Sequence, residues 1–243
     1  YSRRFTCPES WLSSGGQIRL RFEGVESQII VWVNGQWIGM ARGSRLAHEF
    51  DITQALVPGE NTVTLRVHQF SAGSYLEDQD QWWLPGVFRS VSLRYLPDFS
   101  IEDLWINTDY EAGQGFVALE LSVRGAQSET LEANLDIEGL GTSVLTLARG
   151  EDGRYRSGNI GLDNVQPWSP QSPKLYAARV QAVGEGGRKT EERHLRLGFR
   201  RIEIVDGVLH ANGQPLKLNG VNRHEIRADE GRVFSEEFAR ADL

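Results

Sequence analysis

Apolar residues recur at every second position through most of this chain, and that period leaves few architectures open. In Gln17-Ile18-Arg19-Leu20-Arg21-Phe22 apolar and polar side chains alternate strictly, as a strand with one buried and one wet face requires. Val63, Leu65 and Val67 share one face of a further stretch and Thr62, Thr64 and Arg66 the other; Val91, Leu93 and Tyr95 repeat the pattern. Turn residues punctuate the strands. Val31-Trp32-Val33 meets Asn34-Gly35 and then Gln36-Trp37-Ile38-Gly39; an Asn-Gly pair accepts the positive φ angles of a type I′ turn, so a hairpin is predicted here. Pro58-Gly59-Glu60-Asn61 supplies another turn. Many short strands with few helices point to sheets packed face to face.

Pro97-Asp98 marks a seam. A second β-patterned block follows, with strands expected in Phe116-Val117-Ala118-Leu119-Glu120-Leu121-Ser122-Val123, in residues 131–137, in residues 175–180 and in residues 193–197. A block of about one hundred residues with about seven strands fits an immunoglobulin-like sandwich in architecture. The paired cysteines of antibody domains are missing, because Cys7 is the only cysteine. The chain then changes character. Asp206-Gly207 and Asn212-Gly213 imply a small hairpin, and the apolar run Pro215-Leu216-Lys217-Leu218 leads into a polar knot, Asn219-Gly220-Val221-Asn222-Arg223-His224-Glu225. Ser235 precedes Glu236-Glu237, an N-cap followed by acidic residues that favour the positive end of a helix dipole. Strand, loop and helix in that order open a β/α repeat.

Composition excludes some partners. Of the 243 residues 40% are hydrophobic and seven are Trp, enough for a sizeable core. The formal charge of −7, without runs of like charge, argues against nucleic acid or an anionic membrane and fits a neutral or small polar ligand. A single cysteine rules out an internal disulfide and any cysteine-based metal site, and leans towards a reducing, cytoplasmic compartment. No stretch approaches the roughly 20 apolar residues of a membrane span, and no leader pattern is visible. Tyr1 falls within an expected strand and Leu243 just after a helix start, so the chain is expected to be a piece of a larger protein.

Four motif groups carry a family resemblance. Trp32-Val33-Asn34-Gly35 with Gly39, continued by Ser44-Arg45-Leu46 and Glu49-Phe50-Asp51, comes first. Ser74-Tyr75-Leu76-Glu77-Asp78-Gln79-Asp80 with Trp82 and Gly86-Val87-Phe88-Arg89 follows, then Trp168-Ser169-Pro170 with Leu175-Tyr176. Gly198-Phe199-Arg200 and Asn212-Gly213 lead to Gly220-Val221-Asn222-Arg223-His224-Glu225. In this order the groups resemble the large bacterial β-galactosidases of the second family of glycoside hydrolases, over essentially the whole chain. The Leu-Glu-Asp-Gln-Asp run favours them over the β-glucuronidases and β-mannosidases of the same architecture. The resemblance implies a mostly β chain: a jelly-roll-like, sugar-binding sandwich at residues 1–98, an immunoglobulin-like sandwich at 99–201 and the opening strand and helix of a catalytic (β/α)8 barrel at 202–243. It implies hydrolysis of terminal β-D-galactosides with retention, by two carboxyl groups about 5–5.5 Å apart. In the family both carboxyls come from later barrel strands, so the chain by itself is expected to be inactive. The family also implies sodium, magnesium and a homo-oligomer, often a tetramer.

Each candidate residue has a plainer alternative. Asp80 is by itself a turn aspartate among acidic neighbours; within the intact motif it is expected to touch the galactosyl hydroxyls and to help hold sodium, as a carboxylate suits both hydroxyl donors and a hard cation. The magnesium ligands are expected outside this chain. His224 stands where the first barrel strand should end, the end that carries catalytic residues; the resemblance gives it a sugar contact, and strand capping is the alternative. Asn222, Arg223 and Glu225 are read as its supports, Arg223 by orienting a neighbouring carboxylate. Trp82 and Trp83 could stack on a sugar, but core packing takes the larger share. Trp32, Trp37, Trp105 and Trp168 are expected in the core or an interface, and His48, His68, His194 and His210 show no metal-ligand spacing. Glu236 and Glu237 point about 100° apart on a helix and are no catalytic pair. Residues 226–231, Ile-Arg-Ala-Asp-Glu-Gly, depart from a further His and Pro common in the family, so leaving-group preference is expected to differ. Two other accounts stay open: a non-catalytic carbohydrate-binding sandwich, and an adhesive array of two sandwiches.

Overall fold

Alternation in the sequence becomes alternation in burial. In Gln17–Phe22 and Gln28–Val33 every second side chain is buried. The computed structural model describes residues 1–243 except Asp78, Asp80, Gln81, Trp82 and Trp83. Its contacts divide the chain into two units, Tyr1–Pro97 with Val221–Leu243, and Asp98–Gly220.

The first unit is built on two antiparallel sheets. One runs Ser2–Thr6, Glu60–His68, Gln28–Val33, Gln36–Arg42; the other runs His48–Asp51, Gln17–Phe22, Val91–Leu96. Ile18, Leu20 and Phe22 from one and Ile29, Val31 and Val33 from the other share a single core with Phe50 and Ile52. Burying each such side chain contributes about 1.5–3 kcal/mol. The predicted hairpin forms with Val33 opposite Gln36, and Asn34 and Gly35 take φ of 51° and 80°. Asn34 also reaches outward, donating to Asn61 Oδ1 at 2.7 Å and to the Ala55 carbonyl at 2.9 Å, which ties the hairpin to the Pro58-Gly59 turn. Trp37 is 62% exposed, because Gln36–Arg42 is the last strand of its sheet; within this chain it is not a core residue.

In the second unit a continuous hydrogen-bonded path runs through Ser100–Glu111, Gln114–Arg124, Tyr155–Arg156, Gly141–Arg149, Thr130–Ile137, Tyr176–Val183 and Arg193–Leu197. Leu119, Leu121, Leu135, Ile137, Leu147 and Val180 fill its core. Tyr155 is buried with them and donates its hydroxyl proton to the Ser128 carbonyl at 2.8 Å. Trp105 faces out from the terminal strand at 62% exposure, so it too lies outside the core. The small hairpin forms as Ile202–Val205, Val208–Ala211 and Gln214–Pro215. Its turns place Asp206-Gly207 and Asn212-Gly213 at positive φ.

The expected opening strand of a barrel is not formed. Residues 216–226 carry no regular structure, and Leu218 and Val221 are 76% and 77% exposed. A strand needs a lateral partner for its N–H and C=O groups, and past the Leu216 N–H, which donates to the Leu209 carbonyl at 2.7 Å, no strand pairs with this run among the described residues. The helix does form, at Glu236–Asp242, with Ser235 accepting the Phe238 N–H at 3.3 Å. No helix among the described residues is long and apolar enough to cross a membrane.

Candidate functional site

The polar knot predicted around His224 lines a cleft of about 290 Å³ in the first unit. Arg223, His224 and Glu225 form one part of it; Arg45, Phe88 and Arg89 form another, with Arg232 and Phe234 between them in sequence and the chain end. Two guanidinium groups approach the Phe88 ring, Arg232 at 4.8 Å and Arg89 at 5.3 Å from its centre, in the range where the ring quadrupole attracts a cation. Arg232 also binds Glu26 at 2.5 Å, and their side chains are only 11% and 15% exposed. Arg89 Nη1 donates to the carbonyls of Glu23 and Arg45 at 3.3 Å each. Arg223 is held by Asp242 at 2.7 Å and lies 5.5 Å from the Phe238 ring. It does orient a carboxylate, that of the following helix rather than of its neighbour Glu225.

His224 and Glu225 are exposed, and no hydrogen bond among the described residues occupies their side chains. The cleft therefore presents the His224 imidazole and the Glu225 carboxylate beside guanidinium groups already engaged by the protein and two phenylalanine rings, groups that can meet the hydroxyls and C–H faces of a sugar. Glu225 is the one carboxylate among its described lining residues. Asn222 is exposed beside the cleft and does not line it. Asp80, Trp82 and Trp83 lie outside the described residues.

Two of the sequence motifs meet through a second contact. Glu77, at the end of Ser74–Glu77, accepts the Ser44 N–H at 3.1 and 3.3 Å and the Ser44 hydroxyl in addition. Arg45, Phe88, Arg89, Arg232 and Phe234 were not singled out as site residues by sequence reasoning. Arg45 and Phe88-Arg89 stood inside recognised motifs, which was a usable signal; Arg232 and Phe234 offered none. The remaining histidines are spread out: His48 Nε2 contacts the Gly43 carbonyl at 2.9 Å and His210 Nδ1 the Val208 carbonyl at 2.9 Å. Glu236 binds Arg240 at 2.8 Å, as a helix-surface pair. Among the described residues no group of three or more His, Cys, Asp or Glu could hold a metal ion.

Outside the site, three arginines clamp the Glu49 carboxyl and set its pKa. Burial opposes its charge, but hydrogen bonds from Arg21, Arg19 and Arg94 outweigh that and lower it to about 2. The contacts are 2.7, 3.1 and 2.6 Å.

Comparison with known proteins agrees along the whole chain. Residues 1–97 match "Glycosyl hydrolases family 2, sugar binding domain", residues 99–200 match "Glycosyl hydrolases family 2", and residues 202–243 match "Glycosyl hydrolases family 2, TIM barrel domain". The chain is 45% identical to a β-galactosidase of Arthrobacter sp. (strain B7), over 100% of this chain and 23% of that protein. It is 37% identical to a β-galactosidase of Photobacterium profundum, over 100% of this chain and 24% of that protein. The chain thus spans about a quarter of the length of the curated relatives it matches. Among solved structures it resembles a Bifidobacterium dentium β-glucuronidase complexed with coumarin-3-O-glucuronide, with a TM-score of 0.82 at 23% identity, over 100% of this chain and 46% of that one. A β-glucuronidase from an uncultured Clostridium sp. superposes with a TM-score of 0.80 at 24% identity, over 100% and 42%.

Proposed function

Because the chain belongs to glycosyl hydrolase family 2, we propose that it is a portion of a retaining β-galactosidase and supplies walls of the galactose pocket. The observation that carries this is its identity of 45% to a β-galactosidase across its whole length. The likeness to β-glucuronidases, at 23–24%, speaks only for the fold. The Leu76-Glu77-Asp78-Gln79-Asp80 run supports the galactoside over the glucuronide.

Retaining hydrolysis passes through an oxocarbenium-like transition state flanked by a proton donor and a nucleophile, both carboxyl groups. On this proposal both lie in the longer protein, beyond the 243 residues, while His224 hydrogen-bonds a galactosyl hydroxyl. Such bonds strengthen as charge develops on the ring, which lowers the barrier. Asn222, Arg223 and Glu225 hold the His224 segment; the Arg223–Asp242 pair is the contact that supports this. Asp80 accepts from galactosyl hydroxyls and ligates sodium, and magnesium is held by residues outside the chain. The complete protein works in the cytoplasm as a homo-oligomer.

The test compares the complete protein with the 243-residue chain on a chromogenic β-galactoside. The complete protein is expected to hydrolyse it with retention of anomeric configuration and the chain to leave it intact. Turnover by the chain above buffer would overturn the assignment of the catalytic carboxyls. An inactive complete protein that binds galactose would instead be a non-catalytic sugar-binding module.

A further inference from the structure

We infer that Glu77 is a positioning residue, whose carboxylate, clamped onto Ser44, sets the Gly43-Ser44-Arg45-Leu46 turn so that Arg45 and Arg89 hold their places on the cleft beside His224. The inference rests on the galactoside reading of that cleft. Ser44 is 2% exposed, and its N–H and hydroxyl both point at one carboxylate 33 residues away. Contacts at its ends help to hold the turn. Gly43, at φ of +116°, offers its carbonyl to the Leu46 N–H at 3.3 Å and to His48 Nε2 at 2.9 Å. Arg45 lends its carbonyl to Arg89 Nη1 at 3.3 Å. Glu77 thus controls the middle of the turn, one residue from the Arg45 that lines the cleft.

The other side of the clamp is a helix that hydrophobic contact does not anchor. Ser74–Glu77 contains no buried residue, and its Tyr75 and Leu76 are 91% and 87% exposed. Its own backbone is stitched locally, with Ser74 Oγ accepting the Ser71 N–H at 3.0 Å and the Gly73 carbonyl accepting the Glu77 N–H at 2.9 Å. A charge-assisted contact with several donors is stronger and more directional than a neutral one. In a solvent-facing helix without apolar anchorage, it decides where that helix and the turn sit.

Glu77→Gln keeps the size of the side chain but removes its charge, so the Ser44 N–H and hydroxyl lose a charge-assisted partner and keep a neutral one. In the complete enzyme, the KM for a nitrophenyl β-galactoside should rise about tenfold while kcat changes less than about threefold, since losing the charge assistance of such a contact shifts an equilibrium by roughly that factor. Ser44→Ala should raise KM by about threefold, and the double variant should be no worse than Glu77→Gln, because both changes break the same contact. An unchanged KM in folded Glu77→Gln, or additive effects in the double variant, overturns the inference. If Glu77→Gln does not fold, Ser44→Ala decides alone, and an unchanged KM there overturns it. Amide exchange in the 243-residue chain separates this from the functional reading. Glu77→Gln should speed exchange at the Ser44 N–H about tenfold even if the complete protein proves inactive on galactosides, and unchanged exchange refutes the clamp itself.

Discussion

Replacing Glu26 by Gln should loosen the segment Val221–Leu243 from the first unit. Glu26 and Arg232 are 206 residues apart in sequence and meet at 2.5 Å, with side chains 15% and 11% exposed. Removing one charge of a pair buried to this degree costs up to about 3–5 kcal/mol, less what the other contacts of Arg232 recover, since the remaining charge keeps its desolvation penalty. Apolar burial does little to hold the segment among the described residues. Its helix Glu236–Asp242 buries no side chain, and the Arg232 contact with Phe88 contributes about 1–2 kcal/mol. The folded chain therefore relieves the Arg232 guanidinium by letting the segment swing into water. A loss of about 3 kcal/mol raises the detached population by about 100-fold. Limited trypsin digestion reads this directly, because Arg223 and Arg227 become cleavable on detachment, and amide exchange across 221–243 gives the same information without cleavage. Arg232→Met removes the charge together with its desolvation cost and should release the segment less than Glu26→Gln does; the double variant should resemble Arg232→Met. Cleavage at Arg223 and Arg227 that is unchanged in Glu26→Gln would refute the reasoning, as would equal release by both single variants.

Glu49 sets an acid limit on the first unit. Its folded carboxyl sits at about 2 against an ordinary 4.5, so the unfolded chain binds the extra proton between these values; stability is fully present above about 4.5 and is lost as pH falls through about 2. Urea melts at successive pH values should show that loss, and Glu49→Gln should flatten it. Gly125→Ala should destabilise the second unit by about 1–3 kcal/mol by denaturant melts, because φ is +76° and the new Cβ would stand 2.3 Å from the Asp98 carbonyl oxygen. Gly139→Ala, at φ of +79° with nothing within 4 Å, should lose only the backbone strain, about 1 kcal/mol; equal losses at the two sites would discount the steric clash. If the complete protein is the β-galactosidase proposed above, His224→Ala should lower its kcat by about 10²-fold, the scale of losing a transition-state hydrogen bond, and a change confined to KM would reassign His224 to uniform sugar binding.

Much of the fold was legible because strand faces and turns are local properties. Ile18, Leu20 and Phe22 could be assigned to one buried face from their spacing, and Asn34-Gly35 to a type I′ turn from the φ angles those residues tolerate. Ser235 announced its helix in the same way. The site was legible only in part. His224, Arg223 and Glu225 stand together because they are adjacent in the chain, whereas Arg45 and Arg89 join them only through folding, and Arg232 comes from a stretch without any motif. Trp37 and Trp105 could be read only as core or interface residues, and the fold leaves them outside the core, since an aromatic residue in a strand pattern does not reveal whether its strand ends a sheet. The apolar run at 215–218 was legible as the start of a barrel domain, but whether it pairs as a strand was not, because a strand exists only where another backbone meets its hydrogen-bonding groups.

By itself, then, the amino-acid order determined which residues prefer extended backbone, which face of each strand is oily and where the chain reverses, because steric and solvation preferences act over a few neighbouring residues. Tertiary structure alone decided that Ser44 meets Glu77, that Glu26 meets Arg232 and that Phe88 lies under two guanidinium groups. Those pairings depend on how distant strands stack. Water weakens a charge pair until burial removes it, so such contacts take hold only after the sheets have closed.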